Sequence, residues 1–227
     1  MFDIKFLGKG AAFYPQFGNT NGFFAKNSDI FFTDFGESAY EKALRLVKPY
    51  EYGHTYVLLT HLHADHCGSL ASLISYMYFT KGKKVTVVHP ETTIMDLLAL
   101  QGISRDYYDY TPELPPEAGF GLEFIKVIHA DAISAYGMLL ADEDETVYYS
   151  GDAAYLPADI CERFLNGDIR RIYHDTASHE SAAHCWYKRL VDAVPQNKRG
   201  DVYCMHFDSD CVDMIKELGF SVVECIE

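Results

Sequence analysis

Apolar and polar positions follow two periods along this chain, and the switches between them mark its elements. Residues 2–7 alternate with period two, the pattern of a half-buried strand, and stop at the turn Gly8-Lys9-Gly10. Residues 22–25 and 30–34 flank the polar cluster Lys26-Asn27-Ser28-Asp29, which predicts a hairpin. Residues 37–47 carry apolar side chains at helical spacing and end before Pro49. The run TYVLLT at 55–60 is continuously apolar and predicts a buried strand over 56–59. A helix over 69–79, a strand over 84–88 and a helix over 92–100 closed by Gly102 follow. Residues 104–119, rich in Tyr, Asp and Pro, predict irregular chain. Strands are then expected at 122–128, 137–141 and 146–150, the last two joined by the acidic turn 142–145. After them come a helix over 158–164, a strand over 169–173 and a helix over 182–191. A strand over 201–205, a helix over 211–218 and a strand over 221–225 complete the pattern. Hairpins early and strand–helix alternation late predict two sheets covered by helices, in a single domain spanning residues 1–227.

Polar residues of one chemical kind collect where these strands run out. His61-Leu62-His63-Ala64-Asp65-His66 packs three imidazoles and a carboxylate into six residues directly after the buried strand. Imidazole nitrogen and carboxylate oxygen are ligands for zinc, iron and manganese. His129, Asp152, His174-Asp175 and His206 each sit at the end of a later strand. A lone His at a strand end is ordinarily a satisfied core or surface residue. The six-residue run is what implies a metal, and a metal needs further ligands, for which His129, Asp152 and His206 are the candidates. Strand ends hold such groups more rigidly than loops do.

Composition narrows the partners. The net charge of −14 argues against nucleic-acid and anionic-membrane surfaces, which use basic patches, and leaves room for a small anionic substrate held by metal ions. No apolar stretch approaches the length of a membrane span, and the first ten residues show no basic region followed by an apolar one. Six scattered cysteines without a C-x-x-C pair fit reduced thiols, and a cytoplasmic protein is expected. Cys67 adjoins His66 and is weighed as a further ligand.

The order H-x-H-x-D-H after a strand, a later His, then Gly-Asp, then a late His resembles the metallo-β-lactamase superfamily, from residue 2 to the C-terminal end. That resemblance implies an α/β (α+β) fold, a four-layer αββα sandwich of two mixed sheets flanked by helices. It implies two divalent metal ions, zinc foremost, with manganese or iron as alternatives. His61, His63 and His129 would hold the first, Asp65, His66 and His206 the second, and Asp152 would bridge them; Asp65 also counts among the catalytic residues. Two close cations repel, and a shared carboxylate and a shared water of lowered pKa reduce that repulsion. Asp34 resembles the acid that orients a ligating imidazole.

Within the superfamily the chain looks like the ribonuclease Z-like and phosphodiesterase-like branch. Gly8-Lys9-Gly10-Ala11-Ala12, Gly18-Asn19-Thr20-Asn21 and Ser134-Ala135-Tyr136-Gly137 carry that likeness. His184, 22 residues before His206, lies near the position of that branch's catalytic His and would protonate the leaving oxygen from a helix. The branch's H-S-T reads His184-Cys185-Trp186 here, and His179 competes for the role. His174 and His179 are otherwise expected beside the ligands or the substrate. Ribonuclease Z proper usually inserts a long basic arm between the positions of His129 and Asp152; here the two lie 23 positions apart, room for one hairpin. The expectation is therefore a hydrolase of a small phosphodiester such as a cyclic nucleotide. Lactone, thioester or amide hydrolysis, or RNA processing, are the alternatives. The resemblance also implies a homodimer. The Tyr-rich stretch 105–110 is a candidate cap over the pocket.

Overall fold

A computed structural model describes all residues, Met1–Glu227. The chain forms two compact units, each built on one six-stranded mixed sheet.

The first unit comprises Phe2–Gly8, Gly18–Gly119 and Cys225–Glu227. In chain order it contains β1 (Lys5–Gly8), β2 (Asn21–Lys26), β3 (Asp29–Thr33), α1 (Ala39–Lys42), β4 (Thr55–Leu58), α2 (Ala64–Cys67), α3 (Leu70–Lys81), β5 (Val85–Val88), α4 (Thr93–Leu100) and β6 (Tyr108–Thr111). The sheet runs β1-β2-β3-β4-β5-β6. β1, β2 and β3 pair antiparallel, and β3 to β6 pair parallel. Parallel strands need cover on both faces, and every residue of β4 and β5 is buried. Thr33, Leu58, Val88 and Thr111 lie level across four neighbouring strands. The residues that follow them therefore emerge together at one sheet edge. α1 continues through 43–47 as a wider π-wound segment and ends where Lys48 turns left-handed before Pro49. Phe32, Phe35, Val57, Leu73, Ile74 and Val87 are among its core residues.

The second unit comprises Met1, Lys9–Phe17 and Phe120–Glu224. It contains β7 (Gly121–Val127), β8 (Ala135–Ala141), β9 (Thr146–Tyr149), α5 (Ala158–Asn166), β10 (Arg171–Asp175), α6 (Tyr187–Ala193), β11 (Val202–Met205), α7 (Val212–Glu217) and β12 (Ser221–Val222). The sheet runs β12-β11-β10-β9-β8-β7, antiparallel from β7 to β9 and parallel from β9 to β12. Tyr148, Ile160, Phe164, Ile172, Leu190 and Phe207 lie in its core. Between His129 and Asp152 the chain makes only β8, β9 and their connections. No helix of either unit is long and apolar enough to cross a membrane.

Two expectations need correction. Residues 104–119 are not irregular throughout, because they supply the edge strand β6. Its buried Tyr108, exposed Asp109 and half-buried Tyr110 alternate as an edge strand should. The Arg105 guanidinium lies 4.5 Å from the Tyr108 ring centre, and the Tyr110 hydroxyl donates to the His89 carbonyl at 2.9 Å. The Tyr-rich stretch is thus anchored to its sheet. The helix expected over 182–191 begins only at Tyr187. Before it, Ser181 Oγ accepts from the backbone N–H groups of Ala183 and His184, and Ala177 pairs with Trp186. Such local bonds satisfy the backbone in a loop and compete with helix. His184 therefore projects from a loop.

Candidate metal and catalytic site

The first unit brings together His61, His63, Asp65, His66 and Asp34. Asp34 follows β3 in the left-handed region (φ 67°), and His61 follows β4 by way of Leu59 and Thr60. His63 starts α2 as its N-cap residue, so Asp65 and His66 ride on a single helical turn. Asp65 Oδ2 lies 3.2 Å from His66 Nε2, and His61 Nε2 lies 3.0 Å from His63 Nδ1. The segment after β3 holds this turn in place: Phe35 N–H donates to the His66 carbonyl at 2.6 Å, and Ser69 Oγ donates to the Gly36 carbonyl. At Gly36 a Cβ would run into the backbone of Asp65.

Asp34 and Thr60 decide which imidazole nitrogens carry protons. The Asp34 carboxylate has no exposed surface. It accepts from Thr60 N–H at 2.8 Å, and His66 Nδ1 lies 2.9 Å from its Oδ2. Thr60 Oγ1 is within 3.0 Å of both Asp34 oxygens and of His61 Nδ1. A hydroxyl has one proton, which goes to the carboxylate; the His61 contact is then satisfied by a proton on His61 Nδ1. His66 Nδ1 likewise carries a proton toward Asp34. Both rings are left with an Nε2 lone pair, the form that ligates a cation. Burial pushes the Asp34 carboxyl up, opposed by His66 and Thr60. Cys67 is not arranged as a ligand: its thiol donates to the Leu62 carbonyl, and burial pushes it up to about 12.

The second unit brings together His129, Asp152, Asp175, His184 and His206. Ligand atoms of Asp152, Asp175, His184 and His206 all lie within 4.8 Å of one another. Asp152 Oδ2 is 3.6 Å from His129 Nε2, and its Oδ1 is 3.2 Å from His206 Nε2. His129 Nδ1 donates to the Ala183 carbonyl at 3.0 Å, which again leaves Nε2 as the ligating nitrogen. His206 follows β11 with φ 59°.

His184 differs from these in being 29% exposed. Its Nδ1 donates to Asp175 Oδ2 at 2.8 Å and lies 3.9 Å from Asp152 Oδ2, while its ring stacks on His206 with centres 5.1 Å apart. Burial alone would lower the His184 pKa; the Asp175 carboxylate outweighs it and holds the ring above the ordinary value. Burial would raise Asp175, but His184 and, after it, His206 together outweigh it and keep that carboxyl below its ordinary range. A partly exposed imidazole whose charged form is favoured by a buried carboxylate has the makings of a proton donor.

His174 lies apart from this cluster. It alternates with Asp175 along β10, is fully buried, and donates from Nδ1 to the Asp175 carbonyl at 2.8 Å; burial lowers its pKa. His179 is also separate, 73% exposed and paired with Asp208 at 2.6 Å. Two residues were not assigned roles from sequence. Asp175 is the carboxylate partner of His184, and only its place at a strand end pointed to it. His89 follows β5, is 1% exposed, and accepts from Glu91 N–H at its Nδ1; the strand-end rule applied to 84–88 would have reached it.

Residues 2–223 match the family model described as anti-Pycsar protein Apyc1. A protein of that description from Paenibacillus xerothermodurans is 25% identical over 236 residues, covering 95% of this chain and 92% of its own. Among solved structures the chain is similar to the metallo-β-lactamase fold protein YhfI from Bacillus subtilis, with TM-score 0.77, 17% identity, and 100% and 97% of the two chains covered. It is also similar to the short form of human tRNase Z, with TM-score 0.69, 16% identity, and coverage of 91% and 93%. The two six-stranded mixed sheets with their helices are those of the metallo-β-lactamase fold.

Proposed function

Because the chain belongs to the anti-Pycsar protein Apyc1 family, we propose that it is a divalent-metal-dependent phosphodiesterase that opens cyclic nucleotides. The observation that carries this reading is the proton placement: hydrogen bonds occupy Nδ1 of His61, His66 and His129 and leave each Nε2 beside a carboxylate or another imidazole. That donor set, all imidazole and carboxylate, fits borderline divalent ions, zinc first among them.

In this reading residues 1–227 act as one functional domain. His61, His63 and His129 would hold one ion and Asp65, His66 and His206 the other, with Asp152 available to both. When bound, such ions supply Lewis acidity toward a phosphate oxygen and lower the pKa of water. Opening the ring breaks one P–O bond, adds water across it, and leaves a ribose oxygen that needs a proton. His184 supplies that proton from Nε2, since Asp175 engages its Nδ1 and favours the charged ring. Asp175 then stabilises the His184 imidazolium before transfer and keeps the ring oriented after it. His179, held by Asp208 on an exposed loop, is not needed for this step.

The test is direct. The purified protein, loaded with zinc or manganese, is assayed against cyclic mononucleotides, a lactone and a thioester, with metal counted by mass spectrometry. The reading expects about two metals per chain, a linear nucleotide product, and little lactone or thioester turnover. Turnover of the lactone or thioester without diester cleavage would replace it with the alternative hydrolase reading.

A further inference from the structure

Arg189 belongs to none of the ligand groups, yet it touches the backbone of both loops that carry Asp152 and His184. It stands in the first turn of α6 with its side chain 21% exposed. One nitrogen, Nη1, donates to the Ala154 carbonyl at 3.0 Å and to the Ser181 carbonyl at 2.9 Å. Ala154 lies two residues after Asp152, and Ser181 three residues before His184. The guanidinium also lies 4.3 Å from the Tyr155 ring centre, which orients the fork. From these two carbonyls the connections run straight into the cluster. Ser181 Oγ caps the backbone N–H of His184; the Ala183 carbonyl accepts from His129; Ala153 N–H donates to the same Asp175 oxygen that binds His184.

We infer that Arg189 is a positioning residue for proton delivery, a cationic strap that fixes the His184 loop against the Asp152 loop. Residues 178–186 contain no helix or multi-residue strand. Their base is pinned by Ala177, whose N–H donates to the Cys185 carbonyl and whose carbonyl accepts from Tyr187, and by Ser178 N–H on Asp208. Near the loop's tip, Ser181 is tied to the Asp152 loop through Arg189. Without that tie, the separations of His184 from Asp175 and Asp152 are set by a loop held at its base and by the single bond from His129 to the Ala183 carbonyl. A displacement on the order of 1 Å suffices to cost about a hundredfold in a step that depends on placement.

This inference rests on His184 as the acid, and the experiment separates the two. R189M keeps the aliphatic packing on Tyr155 and removes the donors; R189A leaves a gap that free guanidinium can fill. Both are compared with H184A and the unaltered enzyme, metal-loaded, on a cyclic nucleotide and on bis(p-nitrophenyl) phosphate. The first expels an alkoxide that needs a proton; the second expels a phenolate that hardly does. The expected result is a loss on the cyclic nucleotide at least about tenfold greater than on the activated diester for H184A and for R189M. Metal content should be retained, and added guanidinium should restore R189A. Equal losses on both substrates in R189M, or no loss, beside a selective H184A, overturn the role of Arg189 alone. An unselective H184A overturns the acid assignment and this inference with it.

Discussion

Asp34→Asn removes one oxygen from a fully buried carboxylate and keeps its size and its tolerance of the left-handed backbone (φ 67°). The amide can still accept from Thr60 N–H. It cannot also accept from His66 Nδ1, now 2.9 Å from Oδ2, if the new NH2 group faces the ring. The ring must then carry its proton on Nε2, the nitrogen 3.2 Å from Asp65 Oδ2, and so loses the lone pair proposed to ligate. A hydrogen bond to a charged group contributes about 1.5–3 kcal/mol. Loss of a partner that orients a ligating His typically costs about 10–100-fold in metal affinity. At roughly 1.4 kcal/mol per decade the second figure equals about 1.4–2.7 kcal/mol, so the two agree. Burial raises the Asp34 carboxyl, so the amide costs the metal-free protein little. The expected outcome is a variant that melts near the unaltered protein without metal, falls below it with metal, and binds one of two ions roughly 10–100-fold more weakly. Competition with a graded chelator, metal analysis and parallel thermal melts read all three. A folded D34N with both affinities unchanged would refute the proton assignment of His66.

Other perturbations probe different links. Gly36→Ala places a methyl against the Asp65 backbone and should cost at least the roughly 1–3 kcal/mol of an overpacked core, with loss of metal, measurable by denaturant unfolding. The Tyr148 hydroxyl is buried without a hydrogen-bond partner, and burial pushes its pKa up, so Tyr148→Phe should leave stability equal or raise it by up to about 1–3 kcal/mol. A clear loss in chemical denaturation would show that the hydroxyl has a structural use. His54, whose Nε2 lies 2.8 Å from Thr86 Oγ1, has its pKa lowered, chiefly by burial. The folded state then takes up its proton less readily than the unfolded chain, whose value is 6.5; the contribution is complete above that pH and is lost as pH falls below it. Melting temperature against pH should fall less steeply in His54→Gln than in the unaltered protein; parallel curves would contradict this.

The legible parts of the chain are those where a short-range pattern carries the signal. β3, β4 and β5 read easily because continuous apolar runs end at polar residues, and the His61–His66 run reads as a metal site because of its density alone. β6 was hidden because its Tyr-Asp-Tyr alternation is embedded in Pro- and Asp-rich chain, and pairing with β5 decides it. The late start of α6 was hidden for a related reason: Ser181 and the Ala177–Trp186 pairing outcompete helix, and neither shows in periodicity. Asp175 stands at a strand end like the others, but its meaning comes from His184, nine residues away and brought back by a loop. Arg189 carries no motif. Its two carbonyl partners become visible only in three dimensions.

The placement of residues 9–17 has a consequence for synthesis. Lys9 accepts from and Ala11 donates to Phe207, beside His206, and Ile226 N–H reaches back to the Phe6 carbonyl. During synthesis residues 6 and 9–11 are thus made first and wait for the whole intervening chain before residues 207 and 226 exist to pair with them. Such sequence-distant contacts slow folding and prolong the exposure of unpaired edges. The brace beside His206 therefore forms only after residue 207 has been made, and a truncation before that residue removes the backbone partner of Lys9 and Ala11 in that pairing, however well the earlier sheet has formed.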